Sequence, residues 1–286
     1  MENAPPTLAD LHAELVRLRT LWPNDWVGLP VIVSDCLQQL GYRESLPLSD
    51  VARASRDCIA IVAEAIEEEG SQRHQQGCGP PYHNRLHIAD TLCSMTSLLL
   101  VTRFVLQREP AGQPCDAEWV LMLAMLAHDF RHPGTLNTFP GEIESHSVRE
   151  IQPLMHAAGI PASIRTLVGE LILMTDPSRV RPHHEAMQGR HFDLDDAGSM
   201  AMLLQECDIL ASALPDIGIS LTHQLANEWA QVSETMATSL LLVRSRIHFL
   251  RNQAVFSSPA SHKMGLPSMT SAEISQLEKA PAESSI

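Results

Sequence analysis

Residues 119–127 form an uninterrupted apolar run that ends directly at His128 and Asp129. A run of this kind predicts a buried helix, and Pro133 and Gly134 predict that the helix stops soon afterwards. An imidazole and a carboxylate at the end of a buried helix are costly unless a cation or a set of hydrogen bonds compensates them. The sequence therefore predicts a core helix that carries a polar site at its carboxyl end.

Most of the remaining chain is also predicted to be helical, because alternating runs of the β type are few. The predicted helices span residues 7–21, 49–70, 142–157, 162–175, 194–213 and 217–252. A chain of 286 residues with 44% hydrophobic content can bury one large core. We expect an all-α fold, a compact bundle of many helices.

The chain is predicted to have three parts. Residues 1–44 form a helical segment that packs on the core or precedes it, residues 45–256 form the main domain, and residues 257–286, with several Ser and Pro, form a mobile tail. The stretch 176–193, rich in His and Arg, is predicted to be an exposed loop, with a lid over a site as the alternative. The acidic run 67–69 is predicted to lie on a solvated surface.

Two further segments carry candidate metal-binding residues. His83 and His87 are four residues apart and would share one face of a helix, with Asp90 nearby to orient an imidazole. Asp208 lies in the almost wholly apolar segment 199–210, where an unpaired carboxylate would be costly. We therefore expect Asp208 to have a partner.

Four of these side chains make a mixed nitrogen and oxygen set that suits zinc, iron or manganese: His87, His128, Asp129 and Asp208. Asp129 has two carboxylate oxygens and can also bridge to a second, harder ion such as magnesium. A divalent ion lowers the pKa of a bound water toward neutrality and so creates a nucleophile. The pattern predicts a metal-dependent enzyme that cleaves a phosphate ester.

The order of the motifs resembles that of a known family. The chain carries Tyr-His-Asn-x-x-His at 82–87, Ala-His-Asp-x-x-His-Pro-Gly-Thr-x-Asn-x-Phe at 127–139, Thr-Asp at 175–176, and an isolated Asp at 208. This series resembles the catalytic domain of class I 3′,5′-cyclic nucleotide phosphodiesterases, which belong to the HD-type metal phosphohydrolases. The resemblance covers about residues 45–256 and implies an HD-type helical domain with a metal site in its core.

The resemblance implies a role for each matching residue. Four residues would bind a first ion, usually zinc: His87, His128, Asp129 and Asp208. Asp129 would bridge to a second ion, usually magnesium or manganese, with iron as an alternative metal, and His83 would protonate the leaving 3′ oxygen. Three residues would hold waters of the second ion: His132, Glu144 and Thr175. Three would contact the substrate: Tyr82, Gln253 and Phe256.

The implied reaction is hydrolysis of cyclic AMP, cyclic GMP or both to the 5′-monophosphate, by a metal-bound hydroxide with His83 as the general acid. Three alternatives stay open. One is an HD-type phosphomonoesterase or nucleotidase that acts on another small phosphate ester. Another is a di-iron HD-type oxygenase, in which His132 or His146 would bind a second iron. The third is a binding module with a degenerate site.

The sequence departs from the family pattern at several positions. Arg131 precedes the last His of the second motif, where the family usually has Asp, and Ala211 stands where the family often has Asn. Only residues 140–143 separate Phe139 from Glu144, where the family has a longer stretch. We expect one wall of the pocket to differ for this reason.

Composition restricts the partners and the compartment. The net charge of −14 argues against nonspecific binding of nucleic acid or of an anionic membrane. The six cysteines form no Cys-x-x-Cys pair, which suits a reducing cytoplasm, and the start lacks a basic and apolar signal segment. The apolar stretch 98–106 is broken by Thr102 and Arg103 and is too short for a bilayer. We expect a cytoplasmic protein with a small-molecule partner, and nothing indicates a homo-oligomer.

Overall fold

A computed structural model describes residues 4–45, 47–107 and 113–286 of the chain. Within these ranges the protein is all-α, as predicted, with no strand and one isolated bridge between Leu242 and Ser285. The described helices are α1 (Leu8–Leu21), α2 (Leu29–Gln39), α3 (Asp50–Gln75), α4 (Arg85–Val105), α5 (Asp116–Ala127), α6 (Glu142–Ala157), α7 (Ala162–Leu173), α8 (Pro177–Ala186), α9 (Ala197–Ala213), α10 (Pro215–Trp229), α11 (Glu234–Leu240), α12 (Val243–Asn252), α13 (Pro259–Met264) and α14 (Leu266–Leu277).

Helix α5 lies at the centre of the core and packs against α3, α4, α7 and α9. Residues 118–127 are all buried, which confirms the predicted buried helix. The helix ends at its cap residue His128, so His128 and Asp129 lie at its carboxyl end. A rigid, fully packed helix therefore positions the first two candidate ligands.

Helix α4 crosses the core beside α1, α2, α5, α9 and α13. Among the described helices it alone is long and apolar enough to cross a membrane, although 78% of its most apolar window is buried inside the protein. Arg103, which interrupts the apolar stretch, forms a buried ion pair with Glu118 of α5. A helix buried in a protein core can be as long and as apolar as one that spans a membrane.

Helix α3 continues to Gln75, beyond the predicted end at Gly70. Gly70 does not end the helix but makes room for a side chain of α4, because a Cβ atom at position 70 would lie 2.6 Å from Arg85 Cδ. Arg85 in turn forms an ion pair with Glu67, one turn earlier on α3. The glycine is therefore a packing residue at the contact between α3 and α4.

Glu67 joins three segments of the chain, so the prediction of a solvated surface at 67–69 is wrong for this residue. Its carboxylate accepts hydrogen bonds from Trp26 Nε1 at 3.0 Å and from the backbone N–H of Leu29 at 2.7 Å, and it pairs with Arg85. Burial raises the pKa of Glu67, but these contacts outweigh burial and hold the pKa below its ordinary value. Glu67 thus stays ionised and ties the start of α2 to α3 and α4.

The amino-terminal segment packs on the core, since α1 contacts α4 and α2 contacts both α3 and α4. Three fully or almost fully buried leucines line the inner face of α1: Leu11, Leu15 and Leu18. Arg19 at the end of α1 donates hydrogen bonds to both carboxylate oxygens of Asp90, at 2.8 and 2.7 Å. Asp90 was predicted to orient an imidazole. In the structure it anchors α1 through Arg19.

Two predictions for the carboxyl-terminal half are wrong in detail. The predicted helix 217–252 is three helices, α10 to α12. Ser233 caps the start of α11, and the extended backbone at Leu242, which forms a bridge with Ser285, separates α11 from α12. The stretch 176–193, predicted to be an exposed loop, contains helix α8, whose first turn is capped by Asp176.

The segment 257–286, predicted to be a mobile tail, forms α13 and α14, and α13 packs against α4. Glu206 of α9, which is fully buried, holds the start of α13. Its carboxylate accepts the backbone N–H groups of Ser257 at 2.6 Å and Ser258 at 2.7 Å, and the hydroxyl of Ser261 at 2.7 Å. The serines that suggested a tail are capping and anchoring residues.

Replacing Glu67 by alanine tests the role of this residue in the fold. We expect Glu67→Ala to lower the free energy of unfolding by about 2–4 kcal/mol, because it leaves the largely buried Arg85 without its carboxylate partner. Glu68→Ala is the matched control, since Glu68 is exposed and accepts a long hydrogen bond from Gln72, at 3.3 Å. Urea denaturation gives the free energy of unfolding of both variants. Equal losses would contradict the assignment of Glu67 as the partner that stabilises Arg85.

Candidate metal centre

Four side chains from three helices converge at the carboxyl end of α5. His87 lies in the first turn of α4, His128 and Asp129 end α5, and Asp208 lies in α9. Nε2 of His87 is 3.2 Å from Oδ2 of Asp129 and 3.4 Å from Oδ1 of Asp208. Nε2 of His128 is 3.2 and 3.3 Å from the same two oxygens. The structure thus brings together the four residues that the sequence analysis assigned to the first ion.

Asn84 fixes where α4 begins and so where His87 lies. Its side-chain oxygen accepts the backbone N–H groups of Leu86 at 2.8 Å and His87 at 3.3 Å, as an N-cap residue does. Its amide group donates to the carbonyl of Pro81 at 2.8 Å, which holds the preceding loop against the helix. The Tyr-His-Asn-x-x-His motif is therefore a capped helix start with a candidate ligand in its first turn.

The geometry of the cluster fits a divalent cation. Atoms held about 2.0–2.2 Å from one ion lie about 2.8–3.6 Å apart, and the four nitrogen-to-oxygen distances lie between 3.2 and 3.4 Å. The Nε2 atoms of His87 and His128 are buried and have no hydrogen-bond partner within the described ranges. The carbonyl of Met125 accepts Nδ1–H of His128 at 2.7 Å, which leaves the lone pair of Nε2 for a metal.

Without a cation, the two acids and the two imidazoles share protons. Burial lowers the pKa of His87, but Asp129 and Asp208 outweigh burial and raise it to about 9. Burial raises the pKa of Asp208, but the rings of His128 and His87 outweigh burial and bring it to about 2. A metal has to displace the imidazole protons, so its affinity falls as the pH falls.

His83 lies beside the cluster, in the segment before α4. Since α4 begins at Arg85, the prediction that His83 and His87 share a helix face is wrong. Glu228 of α10 holds His83 in place. Its Oε1 accepts Nδ1–H of His83 at 2.5 Å, and its Oε2 accepts the backbone N–H groups of Tyr82 and His83, both at 3.0 Å. The backbone and the ring of His83 are therefore fixed by one carboxylate.

Glu228 is a functional candidate that the sequence analysis missed. It lies 145 residues from His83 in the chain and has no motif around it, so no local signal points to it. Burial raises its pKa, but the hydrogen bond and the charge of His83 outweigh burial and lower the pKa to about 2. Glu228 stays ionised and holds a proton on Nδ1 of His83, so Nε2 is the ring nitrogen left for a ligand.

His132 stacks on His83, with ring centroids 3.7 Å apart and ring planes 18° apart. Burial and the neighbouring His83 lower the pKa of His132 to about 3, so the ring is neutral near pH 7. The backbone N–H of Gly134 donates to Nδ1 at 3.0 Å, which leaves the proton on Nε2.

Ligand atoms of His83, His132 and Glu228 also lie within 4.8 Å of one another. Their closest contact, 2.5 Å between His83 and Glu228, is a hydrogen bond and too short for two ligands of one ion.

Glu144, predicted to hold a water of a second ion, lies near enough to Asp129 and Asp176 for their charges to act on it. It is buried, and its carboxylate accepts a hydrogen bond from Asn137 Nδ2 at 3.1 Å. Burial and the nearby charges of Asp176 and Asp129 raise the pKa of Glu144, although the hydrogen bond from Asn137 lowers it. A cation bound near these three carboxylates would offset the repulsion between them.

Thr175 is buried just before α8 and donates its hydroxyl hydrogen bond to the carbonyl of Ile172 at 2.8 Å. The next residue, Asp176, is also buried and caps α8 through Oδ1, which accepts the backbone N–H of Ser178 at 2.7 Å. Oδ2 of Asp176 is buried without a hydrogen-bond partner among the described residues. The Thr-Asp pair therefore leaves one buried carboxylate oxygen available.

Tyr82, predicted to contact the substrate, lies at the centre. Its ring centroid is 4.9 Å from that of His87, and its hydroxyl lies 2.8 Å from Oγ of Ser212, one turn after the last candidate ligand on α9. Burial and the charge of the α9 carboxylate raise the pKa of Tyr82 far above its ordinary value, so the phenol stays neutral. Tyr82 thus links the loop before α4 to α9.

Gln253 and Phe256 were also predicted to contact the substrate. Gln253 is the cap residue of α12, and Phe256 is buried in the hydrophobic core. The adjacent Ser257 binds Glu206, which is two residues before Asp208 on α9 and so lies about 200° around the helix from it. The contact of Gln253 and Phe256 with a substrate stays a prediction.

No model of a known protein family matches the chain, and no curated protein matches it. The site itself offers three chemical features. It has four converging nitrogen and oxygen atoms, an imidazole held by an ionised carboxylate, and partial access from solvent, because the side chains of Asp129 and Asp208 are 17% and 21% exposed. Such a set can bind a divalent cation and pass a proton to a group bound beside it.

Asp208→Asn tests the centre directly, because it removes one anionic ligand and leaves the helix unchanged. We expect the purified variant to retain less than about one tenth of the divalent metal found in the unchanged protein. Asp57→Asn, at a half-exposed site paired with Arg56, is the matched control and should retain the full amount. Inductively coupled plasma mass spectrometry gives both contents, and equal metal in the two variants would refute the site.

Proposed function

We propose that this protein hydrolyses a 3′,5′-cyclic nucleotide to the 5′-monophosphate at a divalent metal centre. The observation that carries the proposal is the convergence of four ligand atoms beside His83, whose ring is held by the ionised Glu228. The motif order, which resembles that of class I cyclic nucleotide phosphodiesterases, supports the same reaction. In this proposal the metal residues are His87, His128, Asp129 and Asp208.

The residues present suit zinc, iron or manganese, because two imidazoles and two carboxylates make a borderline ligand set. A divalent ion held there would lower the pKa of a coordinated water and offset the charge on the phosphoryl oxygens. Asp129 has a second carboxylate oxygen, and the neighbouring Glu144 and Asp176 add negative charge on one side. We propose magnesium or manganese as a second ion on that side.

His83 acts as the general acid in this mechanism. Glu228 keeps Nδ1 protonated and stabilises the positive charge of the imidazolium, and the proton on Nε2 passes to the leaving 3′ oxygen. The oxygen of water bonds to phosphorus as the bond from phosphorus to the 3′ oxygen breaks, which gives a 5′-monophosphate and a 3′ hydroxyl. The stacked, neutral His132 limits the movement of the His83 ring.

A di-iron oxygenase is the less favourable alternative. Such an enzyme would need His132 or His146 as a ligand of a second iron. Nδ1 of His132 accepts the backbone N–H of Gly134, so its proton lies on Nε2 and neither nitrogen has a free lone pair for iron. Nδ1 of His146 lies 2.7 Å from the guanidinium of Arg149 on α6, which engages this nitrogen in the same way. Neither ring is part of the group formed by His87, His128 and Asp208.

Turnover of cyclic nucleotides tests the proposed function. The purified protein with added manganese or magnesium should convert cyclic AMP, cyclic GMP or both to the 5′-monophosphate, and Asp129→Ala should reduce the rate by at least about a thousandfold. Asp57→Asn should keep the full rate, since this residue lies outside the centre. Chromatography of the products distinguishes 5′- from 3′-monophosphates. Metal binding without turnover, or release of phosphate from a monoester instead, would contradict the proposal.

The role of His83 predicts a dependence on the leaving group. His83→Ala should retain the metal but lose about a hundredfold or more in kcat for a cyclic nucleotide, whose alkoxide leaving group needs a proton. The same variant should lose little activity toward a p-nitrophenyl phosphodiester, because p-nitrophenolate leaves without protonation. Glu228→Gln should show the same pattern with a smaller loss. Equal losses on both substrates would exclude His83 as the general acid.

A further inference from the structure

A cavity of about 370 Å³ opens next to the metal centre, between the carboxyl-terminal turns of α3 and the loop that precedes α4. Its volume lies in the range of small-molecule sites. The inner wall is formed by His83, Asp129 and His132, so the cavity reaches the reacting groups. We call it the α3 cavity. Neither Gln253 nor Phe256 lines it.

The proposed chemistry places the nucleoside on this side of the centre. In a cyclic nucleotide the ribose carries both phosphate oxygens, and the 3′ oxygen receives its proton from His83. The sugar therefore lies against His83, and the base extends from the sugar by a single bond. Because His83 is part of the wall of the α3 cavity, the base can enter this cavity directly.

The outer part of the cavity presents hydrogen-bond donors. Arg73 and Arg131 both line it and share one carboxylate, since Glu69 accepts from Arg73 at 2.5 Å and from Arg131 Nε at 3.3 Å. Arg131 also donates to Glu150 at 2.8 Å. Each guanidinium has five N–H donors and no acceptor, so both retain free donors after these contacts. The two side chains are 35% and 49% exposed and can turn toward a ligand.

The remaining wall suits a flat aromatic group. It includes the indole of Trp22, the rings of Pro80 and Pro81, and the side chain of Ile66. The Trp22 ring is already fixed by the guanidinium of Arg85, 5.1 Å from its centroid. An aromatic base between these surfaces gains stacking and burial, while its polar edge meets the arginines.

We propose that the α3 cavity binds the base of the substrate and that Arg73 and Arg131 make the site prefer guanine to adenine. This inference rests on the proposed function. Guanine presents two adjacent acceptors, O6 and N7, which a guanidinium can bind together, whereas adenine presents a donor next to N7. Glu69 also lines the cavity, and its carboxylate can accept the N–H groups of guanine.

Arg131 shows a backbone feature of its own. Its φ angle is +58°, in the left-handed region that residues other than Gly, Asn and Asp seldom adopt. The side chain of Arg131 forms ion pairs with Glu69 of α3 and Glu150 of α6. Asparagine tolerates the same backbone conformation, so Arg131→Asn removes the guanidinium with little added strain.

The test compares kcat/KM for cyclic GMP and cyclic AMP in the metal-loaded protein and its variants. The unchanged protein should favour cyclic GMP by about tenfold or more. Arg131→Asn and Arg73→Gln should each lose most of this preference through a lower kcat/KM for cyclic GMP, with metal content and kcat for a p-nitrophenyl phosphodiester unchanged. Arg190→Asn and Arg53→Gln, both exposed and outside the cavity, are the matched controls and should keep the preference.

The outcomes separate this inference from the proposed function. Turnover of neither cyclic nucleotide by the unchanged protein would overturn both. Turnover that favours cyclic AMP, or a preference for cyclic GMP that survives both arginine substitutions, would overturn the inference and leave the proposed function intact. If Gln253→Ala lost the preference for cyclic GMP while Arg131→Asn kept it, the base would lie near α12. That result would also overturn the inference.

Discussion

The candidate site depends on one unfavourable grouping where α4, α5 and α9 meet, in which each of two imidazole nitrogens lies 3.2–3.4 Å from both of two carboxylate oxygens. Burial alone would oppose this grouping, because each acid and each ring loses hydration. A divalent cation bound there would compensate both acids and take the lone pairs that the rings do not use in hydrogen bonds. The packed helices hold the four ligands rigidly, while His83 lies on a loop whose position is fixed by Glu228. In the proposed function, metal binding and proton transfer would thus rely on different parts of the fold.

Local sequence was sufficient for those parts of the fold that nearby residues determine. The all-α class and the buried helix α5 follow from the spacing and length of apolar runs. The end of α3 was missed because a sequence cannot show that Arg85 fills the space beside Gly70. The carboxyl-terminal helices were missed for a similar reason. Ser258 and Ser261 favour a mobile tail by composition, and the sequence does not show that both bind the buried Glu206.

The same limit applies to the candidate site. The ligands at 87, 128, 129 and 208 were recognisable because each lies in an apolar or motif-rich context in which a polar residue needs a reason. Glu228 was not, because its contact with His83 links residues 145 positions apart. Gln253 and Phe256 matched a short pattern, but the adjacent Ser257 binds Glu206, which points about 200° away from Asp208 on α9. Sequence therefore predicted which side chains could bind a metal, and tertiary structure was needed to find what positions them.

Anomalous X-ray diffraction from crystals of the purified, metal-loaded protein would test the central claim most directly. Data collected on both sides of the absorption edge of the bound metal locate the ion independently of any assumed function. We predict one strong anomalous peak within about 2.3 Å of Nε2 of His87, Nε2 of His128, a carboxylate oxygen of Asp129 and a carboxylate oxygen of Asp208. A metal-loaded crystal with its anomalous peak elsewhere, or with hydrogen bonds between these rings and carboxylates and no peak, would contradict the account.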